Sequence, residues 1–268
     1  MPVSLDQIVN STRMKVAAAK CTADVRELER RAERHVPRGF RRALEEKNRS
    51  GIAVIAELKK ASPSKGLIRA EFCVEELAQE LEAAGAAALS VLTDEEFFQG
   101  SLENLRNASA AAKVPCLRKD FIVDEFQLLE ARAHSADAVL LIVAALTQVE
   151  LTALALGARS RGLDVLCEVH DEAELQRAMD AGCDLIGVNT RDLRTFKVDP
   201  QTAFRLAERL PKNVVRVAES GIRLGEDIAR LRDAGYQAFL IGETLMRGER
   251  PGARLRELVA GCALPSAR

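Results

Sequence analysis

From Ile52 onward the chain alternates between short apolar runs and stretches with helical spacing, and this alternation limits the fold more than any other feature. The apolar runs are Ile52–Leu58, Ala87–Leu92, Pro115–Arg118, Ala138–Val143, Asp164–Val169, Leu185–Asn189, Val214–Glu219 and Ala238–Ile241. The helical stretches are Glu71–Ala84, Ser101–Ala112, Glu125–His134, Thr147–Arg161, Glu172–Ala181, Pro200–Leu210, Gly225–Ala234 and Gly252–Gly261. Strand starts recur every 21 to 35 residues, which leaves room for a crossover helix between parallel strands. Eight such units predict an α/β fold of the (β/α)8 TIM-barrel type. A doubly wound sheet is the competitor, but it usually carries a glycine-rich turn after its first strand. Here that turn reads ELKKASPSKG, with no GxGxxG. The phrases AAGAAALSV, SADAVLLIV, AGCDLIGVN and AGYQAFLIG repeat one helix-end, strand-start pattern.

Residues before Ile52 read as helices, with a break at Pro37-Arg38-Gly39. About 45 residues make a poor independent core. The expectation is therefore one domain over 1–268, with 1–48 a helical extension packed on a barrel spanning 49–268. Aromatic residues are 4% and Trp is absent, so the core must be aliphatic. A net charge of -1 gives no argument for nucleic acid. The six cysteines form no CxxC and no close pair, which fits reduced thiols in a cytoplasmic protein. The start, MPVSLDQIVNSTRMK, lacks a signal-type apolar core, and no run is long enough to cross a membrane.

In such a barrel the active site lies at the C-terminal strand ends. Those ends carry Glu57 and Lys59, Thr93-Asp94, Arg118-Lys119-Asp120, Glu168-Val169-His170, Asn189-Thr190-Arg191-Asp192, Glu219-Ser220-Gly221 and Gly242-Glu243-Thr244. Residues two apart in a strand share a face. Glu57 thus points with Ile55, Lys119 with Leu117, Glu168 with Leu166, Asn189 with Gly187, and Glu219 with Val217. Polar residues cap apolar columns on at least five strands, which describes a functional mouth. The loops after the last two strands often hold a phosphate through backbone N–H groups, and Gly221 and Gly242 stand there. Lys59 and Lys119 are candidate acids; Glu57, Glu168 and Glu219 are candidate bases or partners. No metal-ligand cluster is evident: His35, His134 and His170 are scattered, and His170 reads as a surface residue.

The segments AELKKASPSKG, SVLTDEEFFQGS, LRKDFIVDEFQ, VLLIVAAL, GVNTRDL, VAESGI and FLIGETLM resemble, in order, the motifs of indole-3-glycerol phosphate synthases. The resemblance spans about Ile52 to Arg247 and includes the helical extension. It implies a cofactor-free ring closure, with loss of carbon dioxide and water, on 1-(2-carboxyphenylamino)-1-deoxyribulose 5-phosphate. Lys119 matches the general acid of closure, and Glu168 a carboxylate used in dehydration. Lys59 matches a second lysine at the substrate, and Glu57 its carboxylate neighbour. Ser62, Asn189 and Arg191 match groups around the substrate's carboxylate and hydroxyls, with Glu219 counted beside them. Phe98 or Phe97, Leu140 and Leu193 would form an apolar wall. Ser220, Gly221, Gly242 and Glu243 match the phosphate cradle. Some family members have Ser where this chain has Glu243, so a Glu243 in the cradle is expected to turn its side chain away. The partner implied is a phosphorylated small molecule, with no metal, nucleic acid, membrane or obligate protein partner. Two other readings are a Schiff-base aldolase using Lys119 or Lys59, which needs a depressed lysine pKa, and an inert phosphate-binding barrel.

Overall fold

The computed structural model describes residues 4–192 and 197–262. Eight parallel strands form a closed barrel: β1 (Ala53–Leu58), β2 (Ala88–Leu92), β3 (Cys116–Lys119), β4 (Ala138–Ile142), β5 (Asp164–Val169), β6 (Leu185–Asn189), β7 (Val215–Glu219) and β8 (Ala238–Ile241). Each pairs with its sequence neighbours, and β8 closes on β1, so no edge remains. All the expected crossover helices form, within a few residues of their sequence bounds. Several start on side-chain caps placed just beyond a strand. Asp124 and Thr147 make capping boxes with Gln127 and Glu150, and Asp171 accepts from the Glu174 N–H. At these three turns the first helical N–H groups are capped as the chain passes from strand to helix.

Register fixes which side chains enter the barrel, since laterally paired residues share a face. Ile55 pairs with Ala88 and Leu240, Glu57 with Ser90, and Ser90 with Leu117. Glu168 pairs with Gly187 and Ile142, Asn189 with Glu219, and Glu219 with Leu240. The interior is Ala, Leu, Val and Ile, filled by aliphatic side chains as the low aromatic content requires.

The extension is a strap with three parts. Helix α1 (Leu5–Thr22) lies on the C-terminal rim: Ser11 donates to Glu96 at 2.6 Å, Lys20 pairs with Asp124 at 3.0 Å and Arg13 with Glu150 at 2.8 Å. Helix α2 (Val25–Arg34) descends along the helix Glu125–Ala133, whose Arg132 donates to the carbonyls of Ala32 and His35. Helix α3 (Phe40–Ser50) crosses the floor, burying Phe40 and Leu44. Asp137, just before β4, is fully buried there. It accepts from Arg38 N, Nε and Nη2 and from the Cys116 N–H at 2.6–3.0 Å, and meets His35 Nε2 at 3.0 Å.

Four short elements lack a clear sequence signal. They are the hairpin of Ala61–Ser62 with Gly66–Leu67, the turns Glu95–Phe98 and Val143–Ala145, and the helix Glu243–Met246. Each is too short for periodicity to show.

Candidate active site

A cavity of about 620 Å³ opens at the C-terminal strand ends, within the range that holds a drug-sized ligand. Two lysine–glutamate pairs face it. Lys59 is ion-paired with Glu57 on β1. Lys119 Nζ, from β3, stands 3.2 Å from Glu168 Oε2 on β5. The carboxylates are almost wholly buried, while both lysines keep some exposure to the cavity. Burial alone would lower the Lys119 pKa, but Glu168, Glu219 and Glu57 together raise it above the ordinary lysine value. Lys119 is therefore an ammonium.

Glu168 and Glu219 divide the opposite way. Burial pushes Glu168 up, but Lys119 and His170 outweigh it and hold its carboxylate below the ordinary value. Burial, then the facing Glu168 charge, pushes the Glu219 carboxyl well above that range. The cluster thus sets the Lys119 ammonium beside one carboxyl group whose pKa is lowered and another whose pKa is raised. Its polar atoms are not all used: among the described residues, Oε1 of Glu168, Oε1 of Glu219 and Nε2 of His170 are buried without a hydrogen-bond partner. Such groups are costly in a core and expected where a ligand is to be met.

Two glycines make space for these carboxylates. A Cβ on Gly187 would fall on Glu219 Oε1 and 3.1 Å from its Cδ; one on Gly242 would fall on Glu57 Oε1. Gly242 is thus a glycine for the sake of Glu57 as well as for its place above β8. Gly221 has φ +76°, and a Cβ there would sit 3.1 Å from Val198 Cγ1. Ser220 shares the left-handed region at φ +67°, a conformation that costs a non-glycine residue about 1 kcal/mol. The Gly221, Gly242 and Glu243 N–H groups have no protein acceptor among the described residues.

Glu243 does not simply turn away. Its Oε1 meets Arg247 Nε at 3.0 Å and its Oε2 lies 3.7 Å from Arg191 Nη2. Burial pulls its pKa up, but Arg247, Lys65 and Arg191 outweigh that and leave it lowered. The turn of the 61–67 hairpin thus brings Lys65 toward the loop after β8. Arg69 fastens the hairpin's base to the same loop, donating to Gly248 O at 2.9 Å.

The family model for indole-3-glycerol phosphate synthase matches residues 5–258. An indole-3-glycerol phosphate synthase from Koribacter versatilis (strain Ellin345) is 62% identical over 259 residues, covering 97% of this chain and all of that protein. The chain belongs to the indole-3-glycerol phosphate synthase family. Solved structures add likeness of fold alone. A 3-hexulose-6-phosphate synthase superposes with TM-score 0.62 at 14% identity, covering 78% of this chain and 99% of that one. A thiamine phosphate pyrophosphorylase from Pyrococcus furiosus gives 0.56 at 18%, covering 79% and 95%.

In this synthase fold the cavity gathers the sequence candidates Glu57, Lys59, Lys119, Glu168 and Glu219 with Ser62, Leu140, Asn189 and Arg191. Ser220, Gly221, Gly242 and Glu243 line its other side. Phe98 faces the cavity, whereas the Phe97 ring lies under Lys15 of α1, 5.5 Å from Nζ. Leu193 lies outside the described residues. Phe121, Arg247 and Arg254 also line the space and were not singled out from sequence. Phe121 shares the Lys119 parity and packs 6.1 Å from Phe98; Arg247 sits one helical turn past Glu243, a spacing that sequence reasoning could have used. His170 is not a surface residue: its ring is held between Glu168 and Glu174. Among the described residues, no helix is long and apolar enough to cross a membrane.

Proposed function

We propose that this mouth closes the indole ring of 1-(2-carboxyphenylamino)-1-deoxyribulose 5-phosphate. The products are indole-3-glycerol phosphate, carbon dioxide and water, a step of tryptophan biosynthesis. The observation that carries the assignment of roles is the Lys119 ammonium, held at 3.2 Å by Glu168 and faced by Glu219 and Glu57 as well. Such a group donates a proton where negative charge develops.

In the first step the carboxylate-bearing ring carbon bonds to the ketone carbon, and Lys119 gives a proton to the ketone oxygen. The carboxylate then leaves as carbon dioxide, and its electron pair restores the aromatic ring. In the last step the new hydroxyl leaves as water, taking one proton from Lys119 once that lysine has been recharged. The carbon beside nitrogen loses one, which Glu168 accepts. Lys59, paired with Glu57, supplies the second positive charge across the cavity. Phe98, Phe121 and Leu140 give the aromatic ring an apolar wall. The phosphate belongs with the Gly221, Gly242 and Glu243 N–H groups, near Arg191, Arg247 and Lys65. Holding both ends of a flexible substrate brings the reacting carbons together.

A Schiff-base aldolase is disfavoured by the same lysine. An amine nucleophile needs a depressed pKa, and that of Lys119 is raised. We further propose that 1–48 and 49–268 act as one domain, because the strap joins rim to floor. The same reading has the enzyme in the cytoplasm, where its six unpaired cysteines remain reduced. The test is a fluorescence assay for indole product from the carboxyphenylamino-deoxyribulose phosphate, run with chelator present. Product should appear at an unchanged rate with chelator; absence of product from well-folded protein overturns the assignment.

A further inference from the structure

The overall reaction takes up one proton per turnover. Two protons are given, to the ketone oxygen and to the departing hydroxyl, and one is recovered from carbon. The pair Lys119–Glu168 can recycle the recovered proton, since Glu168 Oε2 lies 3.2 Å from Lys119 Nζ. The other must enter from outside the cavity.

The structure holds a candidate entry on the far side of Glu168. Oε1, the oxygen not facing Lys119, is buried and without a hydrogen-bond partner; so is His170 Nε2, and the two are 3.5 Å apart. The other side of the imidazole is clamped. Glu174 Oε2 accepts both the His170 backbone N–H at 2.8 Å and, at 3.0 Å, the proton of Nδ1. Glu174 is itself placed by the first turn of helix Glu172–Asp180, which Asp171 caps. The ring therefore has one orientation, with Nδ1 on a carboxylate and Nε2 aimed at the unused oxygen of Glu168. This is the arrangement by which a carboxylate orients an imidazole for proton transfer.

We propose that His170 is a positioning residue that fixes Glu168 and hands it the proton consumed in each turnover. The step is a transfer from Nε2–H to Glu168 Oε1, then from Oε2 to the neutral Lys119 left by the first step. His170 is afterwards recharged from solvent, which requires Nε2, buried in the resting structure, to become accessible during turnover. This inference rests on the acid and base roles given above to Lys119 and Glu168. The charged groups facing the ring are Glu168 from its own strand, Glu174 from the following helix, and Lys119 from β3. Burial and Lys119 lower the His170 pKa, while the two carboxylates outweigh them and leave it raised. The protonated, delivering form thus persists above the ordinary histidine pKa and is lost as pH rises further.

The test is the pH dependence of turnover in His170→Asn and His170→Gln. With saturating substrate, kcat of the parent should fall on the alkaline side with the His170 titration. In His170→Asn that limb should disappear and kcat should drop about tenfold, with KM within about twofold, since one proton transfer is worth at least this much. A His170→Asn profile that superimposes on a scaled parent curve overturns the proposal, as does a raised KM with unchanged kcat. A readout besides activity comes from imidazole NMR of the intact protein, whose three histidines His35, His134 and His170 are few enough to assign. The His170 pKa should fall in Glu168→Gln; an unmoved value overturns the contact. If Glu168→Gln keeps parental kcat, the base assignment fails and the relay with it; if Glu168→Gln loses kcat while the His170→Asn profile superimposes on the parent, the relay alone fails.

Discussion

Asp137 at the barrel floor and Glu168 at its mouth are both fully buried carboxylates, and their surroundings differ in one respect. Around Asp137 both oxygens are filled, by Arg38, His35 and the Cys116 N–H. Those partners come from the extension and from β3, so the charge pins one to the other. Burial pushes its pKa up, yet His35 and Arg38 outweigh that and leave it lowered. At the mouth, Glu168 keeps Oε1 without a hydrogen-bond partner, and burial and the Glu168 charge push the pKa of Glu219 beside it well up. The floor has the satisfied network that stabilises a fold; the mouth has the incomplete one that a substrate completes. Removing charge should therefore cost stability at the floor and turnover at the mouth.

The largest effect is expected for Lys119→Met. It should lower kcat by at least about 10³-fold, the upper part of the general-acid range, with product-analogue affinity largely kept. Near-normal kcat by the fluorescence assay would remove Lys119 as the principal acid. Next comes Asp137→Asn. Breaking a buried, paired charge costs roughly 3–5 kcal/mol, so urea unfolding should show a loss of that order, with kcat per folded molecule unchanged. The sign with pH follows from the lowered pKa. Asp137 contributes fully above the ordinary aspartate value of 3.8 and loses its contribution as pH falls through its own lower value. The parent should accordingly lose stability in acid relative to the variant.

Glu219→Gln separates the two ends more finely. The raised pKa of Glu219 means that its contribution is present at low pH and lost as pH rises through that value. The melting temperature of the parent should therefore fall on the alkaline side relative to Glu219→Gln, the mirror image of the Asp137 case. Parallel curves for the two proteins would show that Glu219 is ionised throughout. The smallest effect concerns Glu243, a mouth carboxylate that is paired on both oxygens in the manner of the floor. Replacing it by Ser should lower KM by about twofold to threefold at low salt, as Arg191 and Arg247 become available to phosphate. The gain should shrink at about 1 M salt, where charges are screened within about 3 Å. A KM that rises instead would give Glu243 a direct part in holding substrate.

The barrel was legible because its signal is repeated: eight apolar runs of similar length, each followed by a helical period, leave few alternatives. The polar candidates were legible for a related reason. Strand parity alone placed Lys119, Glu168, Asn189 and Glu219 on the interior face, and the register agrees. Roles that depend on contacts across the barrel were not legible. Gly242 reads as a phosphate-loop glycine, and sequence gives no sign that the space it leaves is also filled by Glu57 from β1, a strand that precedes it by most of the chain. His170 reads as a surface residue because it stands past the end of its strand, and only the structure shows that Glu174 of the following helix holds its ring. The strap was visible as helices and not as a strap, because its rim partners Glu96, Asp124 and Glu150 are charged residues in or at the start of three separate helical segments.

That strap has a consequence for the order of assembly. The rim partners of α1 are Glu96, Asp124 and Glu150, which lie 85, 104 and 137 positions beyond the residues they bind. Contacts of such separation form late, after the intervening segments have closed on one another. On a ribosome α1 therefore emerges well before its rim partners, the earliest of which follows β2 and the latest β4. The segment bearing Phe97 and Phe98 stays unbraced by Lys15 until α1 docks. A helix made before the barrel is the one that braces its rim.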